Sequence, residues 1–321
     1  MHKLSVIIPV HNTQQYLKRC IDSIVLNKNQ SIQIIVVDND STENYEDILK
    51  EYSFIKYIKL NSNLGPGGAR NIGIANADSE YIAFCDSDDW VESNFYTDII
   101  SMMDKTGADI GVGGIKRSFP YDTNKRIVKC RFDKNYLLSS DMFFRIMTKE
   151  YDTGLLIPPS SVNRVYRFGF IINNKLQFQE KKFYEDLLFS VQAVLSLHKA
   201  VCVPNTYYHH YKRIGSITQS FTQQHIDDFK DIFSDIREYM ESKNLFQKYM
   251  IGYYKFSEHF FNLVIRQLFE YEHDEDIRKY YIKKALDAYK EIIDLDEYMS
   301  CYTSEDLRKH IQPLIDDTVI N

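Results

Sequence analysis

A chain of 321 residues with 44% hydrophobic content can bury a substantial core, most naturally as one α/β domain with a helical appendage. Its 45 acidic residues outnumber 39 basic ones, and the formal charge of -6 argues against a general nucleic-acid binder. The five cysteines, at 20, 85, 130, 202 and 301, form no CxxC pair, and no apolar run is long enough to span a bilayer. Leu4 to Val10 is too short for an export signal and is interrupted by Pro9, so a reduced cytoplasm is the expected setting.

Leu4-Ser5-Val6-Ile7-Ile8-Pro9-Val10 reads as a strand buried on both faces, broken at Pro9 into His11-Asn12. A helix follows, capped by Asn12 or Thr13, with Tyr16, Leu17, Cys20, Ile21, Ile24 and Val25 at helical spacing. The unit repeats as a strand from Ile32 to Val37, the turn Asp38-Asn39-Asp40-Ser41-Thr42, and a helix carrying Tyr45, Ile48, Leu49 and Tyr52. A third strand, Ile55 to Leu60, leads into a glycine-rich segment from Asn61 to Gly73. The apolar run Tyr81 to Cys85 then ends in Asp86-Ser87-Asp88-Asp89, three carboxylates that bring hard oxygen ligands to a sheet edge. Alternating strands and helices joined by polar turns predict a doubly wound sheet, and such sheets bind ligands at the carboxyl ends of their strands. Gly111, Gly113 and Gly114, with Pro120, are expected to mark a strand end and a loop.

These segments closely resemble the inverting family 2 glycosyltransferases of the GT-A fold. The resemblance rests on Val6 to Asn12, Val36-Val37-Asp38 with Ser41-Thr42, Asn63-Leu64-Gly65 with Ala69 to Gly73, and Asp86 to Asp89. Asn163 to Tyr166, Leu176-Gln177-Phe178, Tyr184 to Phe189 and Gly215 to Thr218 continue it in the same order. It implies a GT-A type, Rossmann-like, mostly parallel sheet sandwiched by helices over residues 1–220. Residues 1–115 would bind the nucleotide and 116–220 the acceptor, with a helical C-terminal region over 221–321.

The resemblance also implies a UDP-sugar donor, a glycan or lipid-linked saccharide acceptor, and Mn2+ or Mg2+ as cofactor. Asp38 would read the uracil ring, flanked by the backbone of Pro9, Val10, His11 and Asn12. The nucleotide set is completed by Asn63, Gly67, Arg70, Asp86 and Ser87. Gly67 and Gly68 would permit close backbone approach, while the helix N-terminus and the Arg70 guanidinium favour phosphate. Asp88 is the implied metal ligand, with Asp86 and His210 as further candidates, and Asp89 would orient its neighbours or begin the next helix. Glu185-Asp186 opens a helix striped with Leu187, Leu188, Val191, Val194 and Leu195; the resemblance selects Asp186 as general base and leaves Glu185 to hold the acceptor. Where relatives carry a Tyr-Arg pair this chain has His210-Tyr211, which moves the positive charge to Lys212 or Arg213. Donor preference is expected from side chains near the anomeric centre, among them Arg164 and the surroundings of Asp109.

Beyond about residue 222 the resemblance ends. Ile226 to Met240, Phe256 to Val264 and the stretch from Ile277 recur at helical spacing, large enough for a small core. Two roles are open for this region: a homodimerisation platform, ranked first, or an acceptor and peripheral membrane face using Tyr253, Tyr254, Lys255 and Arg266. Among other classes, a sugar nucleotidyltransferase needs a basic, glycine-rich loop after the first strand, where this chain has Pro9-Val10-His11-Asn12. A silent scaffold would have lost Asp38, Asp86, Asp88 and Asp186, all of which are present. A hydrolase of sugar nucleotides would not need the matched segment from Asn163 to Phe189.

Overall fold

The computed structural model describes residues 2–27, 31–119, 122–213 and 220–300. The chain divides into two units, one of residues 1–147 with 151–217, the other of residues 148–150 with 218–321. The first unit runs β1 (His2–Val10), α1 (Gln14–Val25), β2 (Ile32–Asp38), α2 (Glu46–Lys50), β3 (Lys56–Lys59), α3 (Gly65–Ala75), β4 (Ser79–Phe84), β5 (Trp90–Val91) and α4 (Phe95–Thr106). It continues with β6 (Ile110–Phe119), β7 (Asp122–Cys130), β8 (Tyr136–Ser139), α5 (Ser140–Met147), β9 (Arg164–Arg167), α6 (Phe168–Asn173), α7 (Asp186–Ser196) and β10 (Lys199–Tyr211).

The strands form one mixed sheet in the order β3-β2-β1-β4-β9-β6-β10-β5, with β7 on β6 and β8 on β10. β1, β2, β3 and β4 are parallel, and β9 inserts antiparallel between β4 and β6. Register places Val10 opposite Asp38 and Ile7 opposite Phe84, so the chain leaves β1, β2 and β4 along one edge. The apolar faces explain the order: Val6, Ile7, Ile8, Ile35, Val36, Ile82 and Phe84 are fully buried, as expected for central parallel strands covered on both sides.

Two sequence expectations need correction. Gly111, Gly113 and Gly114 mark neither a strand end nor a loop; they lie inside the central strand β6. A Cβ on Gly113 would meet the Phe95 ring at 2.4 Å, so absent side chains let α4 lie close against the sheet. Asp89 does not begin the next helix: Trp90 and Val91 are taken up as β5 against β10, and α4 starts at Phe95.

The second unit comprises α8 (Gln223–Ser242), α9 (Phe246–Tyr271), α10 (Glu275–Ile292) and α11 (Leu295–Ser300) around an aromatic core. Phe229, Phe233, Tyr253, Phe256, Phe261 and Tyr289 are buried there, and Tyr253 Oη donates to the carbonyls of Phe233 or Ile292. Tyr253 and Tyr254 are fully buried, which removes both from the docking face expected of them. No helix among the described residues is long and apolar enough to cross a membrane.

Candidate active site

Three loops at the carboxyl ends of β1, β2 and β3 are stitched together by short polar side chains. Asn12, in a left-handed conformation (φ 51°), accepts through Oδ1 from the amide and hydroxyl of Thr42. His11 Nδ1 lies 2.9 Å from the carbonyl of Asn39, and Asn39 N donates to the carbonyl of Val10. Asn39 also donates to Asn63 Oδ1 at 2.8 Å and accepts from the Leu64 amide at 2.8 Å. Asn39 is the hub joining all three loops; no spacing or periodicity in the sequence signals that.

Asp38 is fully buried at the end of β2. Its Oδ1 accepts from the Ser41 amide at 2.9 Å, which closes an Asx turn, and its Oδ2 accepts from Tyr57 Oη at 2.6 Å. Oδ1 therefore fixes the turn, and Oδ2 ties the end of β2 to β3. Pro9 and Val10 are buried at the end of β1, while Asn12 and Asn63 lie exposed along the same edge.

The Asp86-Asp89 loop is held from several directions. Tyr208 Oη accepts from the Asp86 amide at 3.1 Å and donates to Asp89 Oδ2 at 2.5 Å, while the Tyr211 amide donates to Asp89 Oδ1 at 2.7 Å. Asp89 is thus the orienting carboxylate, buried and spent on the fold, with burial and then Asp88 pushing its pKa up. Ser87 Oγ sits 2.7 Å from Thr13 Oγ1. Arg19 donates to the Asp88 carbonyl at 2.6 Å while its guanidinium stacks 4.0 Å from Trp90 and 4.5 Å from Tyr211. Arg19 and Tyr208 escaped the sequence reading because each reaches the loop from an element far away in the chain.

The carboxylates of Asp88 and Asp86 are each held by an arginine. Asp88 Oδ2 accepts from Arg213 Nε at 2.6 Å, so the cation expected at residue 212 or 213 does reach this loop. Burial, then the Asp86 charge, raises the Asp88 pKa. His210 has an open surface, yet protein surrounds its ring closely enough that desolvation, followed by Arg117, pushes its pKa down to about 4. Two carboxylates and a neutral imidazole are a suitable donor set for Mn2+ or Mg2+. They are not preassembled: among the described residues no three His, Cys, Asp or Glu side chains stand close enough to hold a metal.

Arg70, on α3, does something its position in the sequence does not reveal. Its Nη2 donates to Asp86 Oδ1 at 2.7 Å and its Nη1 to Glu185 Oε1 at 2.5 Å, with the side chain only 5% exposed. The guanidinium expected to face phosphate is already forked between two carboxylates, and those two charges raise its pKa against the cost of burial. Gly67 shows the same inward turn. The near space of this glycine is filled by protein, since an added Cβ would meet the Gln179 carbonyl oxygen at 2.0 Å. Arg70 and Gly67 therefore join α3 to the segment that carries Glu185 and Asp186.

That segment is tightly turned. Lys181 and Tyr184 both adopt left-handed backbone conformations, φ 54° and 59°, of a kind that non-glycine residues hold only where their surroundings insist. Behind them, Phe178 stacks on Phe189 with centroids 4.0 Å apart, and Phe84 packs edge-on against both. This aromatic floor lies two residues before Asp86 and three after Asp186, so it fixes the two acidic clusters relative to each other. Glu185 caps α7 and Asp186 is its first residue.

Asp186 differs from every other acid here. It is partly buried and makes no hydrogen bond or ion pair among the described residues. Desolvation, then the Glu185 charge, lifts its pKa to about 7, against the opposing pull of Arg70 and Arg164. A carboxyl poised near neutral pH is suited to accept a proton. Arg164 is fully buried next to this group, donates to the Pro158 carbonyl at 2.8 Å, and leaves Nε and Nη1 without partners. Asp109 is placed otherwise than expected. It precedes β6 and accepts from the His198 amide just before β10, at the amino ends of those strands and opposite the edge that carries Asp86. Gly215 to Thr218, part of the resemblance, lies outside the described residues.

The sheet order and the polar edge define a GT-A type fold. Its closeness to Staphylococcus aureus TarS residues 1–349, solved with UDP-GlcNAc, is a TM-score of 0.62 at 20% identity, covering 90% of each chain. The pattern of glycosyl transferase family 2 is matched over residues 5–172, and the chain belongs to that family. It is 29% identical over 245 residues to the glycosyltransferase GlyA of Streptococcus pneumoniae, covering 73% of this chain and 34% of that protein. It is 24% identical over 316 residues to the cholesterol galactosyltransferase of Borreliella burgdorferi, covering 94% of this chain and 86% of that one. The chain thus spans about a third of the length of GlyA but most of the length of the galactosyltransferase.

Proposed function

We propose that this chain transfers a sugar from a UDP-sugar to a hydroxyl of a glycan or lipid-linked saccharide, with inversion at the anomeric carbon. The observation that carries the reading is Asp186: an unpaired carboxyl whose pKa is raised to about 7, next in the chain to Glu185, which Arg70 ties to Asp86. Asp186 takes the acceptor's hydroxyl proton as that oxygen attacks the anomeric carbon, and the bond to the UDP oxygen breaks on the opposite face. Arg70 and the Phe84, Phe178 and Phe189 floor keep the base and the donor loop in register. Asp38, Asn12, Asn63 and the His11 backbone supply the base and ribose end, with Asn39 holding their loops. Asp88, Asp86 and His210 would hold a divalent cation, which would neutralise charge growing on the departing diphosphate. The donor class is supported by TarS, solved with UDP-GlcNAc and with UDP.

Calorimetric titration with UDP, with GDP and dTDP as controls and each with and without Mn2+, tests the donor side. Manganese-dependent preference for UDP is the expected result. Failure of every nucleotide to bind would overturn the reading in favour of a silent scaffold.

A further inference from the structure

The second unit carries a basic cluster that sugar transfer does not use. Lys149 lies in the short 148–150 segment of that unit and holds a left-handed backbone, φ 62°. Its Nζ stands 3.2 Å from His259 Nδ1 and 3.5 Å from Nε2. On α9, Lys255 lies four residues before His259 and Arg266 seven after it, one and two turns along the same face. Among the described residues none of Lys149, Lys255 and Arg266 has a carboxylate partner.

The charges that bear on His259 are both cationic. Burial, then Lys149, then Arg266 push its pKa down to about 4, and burial and Arg266 lower Lys149 as well. Glu258 precedes His259 on the helix, but the field at the imidazole comes from Lys149 and Arg266. Lys149 and Arg266 both disfavour a charged His259, Arg266 disfavours the charge on Lys149, and Lys149 holds a strained backbone, so an anion placed among them would offset these costs. We propose that Lys149, His259 and Arg266 form an anion site on the helical unit that takes a phosphate group, borne by a soluble phosphorylated molecule or by a lipid headgroup. Lys149 and Arg266 supply charge and fixed donors, and His259 becomes a further donor once the anion makes its protonation favourable.

The test is an NMR titration of the His259 imidazole in the full chain, with and without inorganic phosphate; His259→Gln assigns the resonance. Phosphate is expected to raise the His259 pKa by about one unit or more, and Lys149→Ala with Arg266→Ala is expected to weaken phosphate binding by about tenfold. Both substitutions are at exposed positions, and unchanged thermal unfolding verifies that the variant folds. Sedimentation with phosphatidylglycerol vesicles, against phosphatidylcholine, separates the sources. Vesicle binding lost in the double variant assigns a lipid headgroup, whereas a phosphate response without vesicle binding assigns a soluble ligand. A His259 titration indifferent to phosphate overturns the site, whatever the vesicles do.

Discussion

Asp88 and Asp89 sit in a loop where the fold has spent its donors: Arg213, Tyr208 and the Tyr211 amide compensate them directly. Glu185 and Asp186 are neighbours of the same kind, yet Arg70 bonds only to the first and reaches the second only through its charge. In the first cluster the partners fix geometry around a site for a charged ligand. In the second, burial and Glu185 raise the unpartnered Asp186 to about 7, which suits the base proposed for it. All four are carboxylates, so on the proposed reading their partners, and not residue type, separate the binding acids from the base.

The largest effect should come from the unpaired acid. Asp186→Asn is expected to lower kcat for transfer by about 10²- to 10⁴-fold while UDP affinity stays unchanged in calorimetry. Lost UDP binding would instead place Asp186 on the donor side. The variant should also be the more stable protein at alkaline pH. With its folded-state pKa raised, this carboxyl contributes stability that is lost as pH climbs from the ordinary carboxyl value near 3.8 to about 7, and the amide has no such loss.

The next effect concerns the fork that joins the clusters. Arg70→Ala leaves Glu185 and Asp86 without their shared cation and should cost about 3 kcal/mol in urea unfolding, reduced to the extent that Asp86 is solvated. Gly67→Ala presses a methyl into the Gln179 carbonyl and should cost about 1–3 kcal/mol. Little change in either variant would mean that α3 and the Glu185 segment are not coupled as described. The smallest effect is local. Tyr208→Phe removes the hydroxyl shared by Asp86 and Asp89, with about 1 kcal/mol lost and a raised KM for the donor at nearly constant kcat.

Much of this architecture is legible in the sequence because its signals are local. Continuous apolar runs ending in His11-Asn12, Asp38 and Asp86 mark buried strands and put polar residues at their carboxyl ends. The helical spacing from Ile226 to Met240 marks α8, which the structure places at Gln223–Ser242. What escaped depends on partners distant in the chain. Arg70 resembles a phosphate ligand until Glu185, far along the sequence, is seen to occupy it. Gly113 resembles a loop signal until Phe95 is found against it. Asn39 resembles an ordinary turn residue until it is found bonding to both Asn63 and Leu64. Periodicity reports which face of an element is buried; it does not report which element covers it.

The most direct test of Asp186 as the base is the pH dependence of kcat/KM for transfer from a UDP-sugar, in the parent protein and in Glu185→Gln. Glu185 raises the Asp186 pKa, so its neutralisation should move the limb the other way. The parent rate should rise through about pH 7 and level off above it, and the variant's limb should fall at lower pH. A limb unmoved by Glu185→Gln, or no limb at all near neutrality, would contradict the assignment.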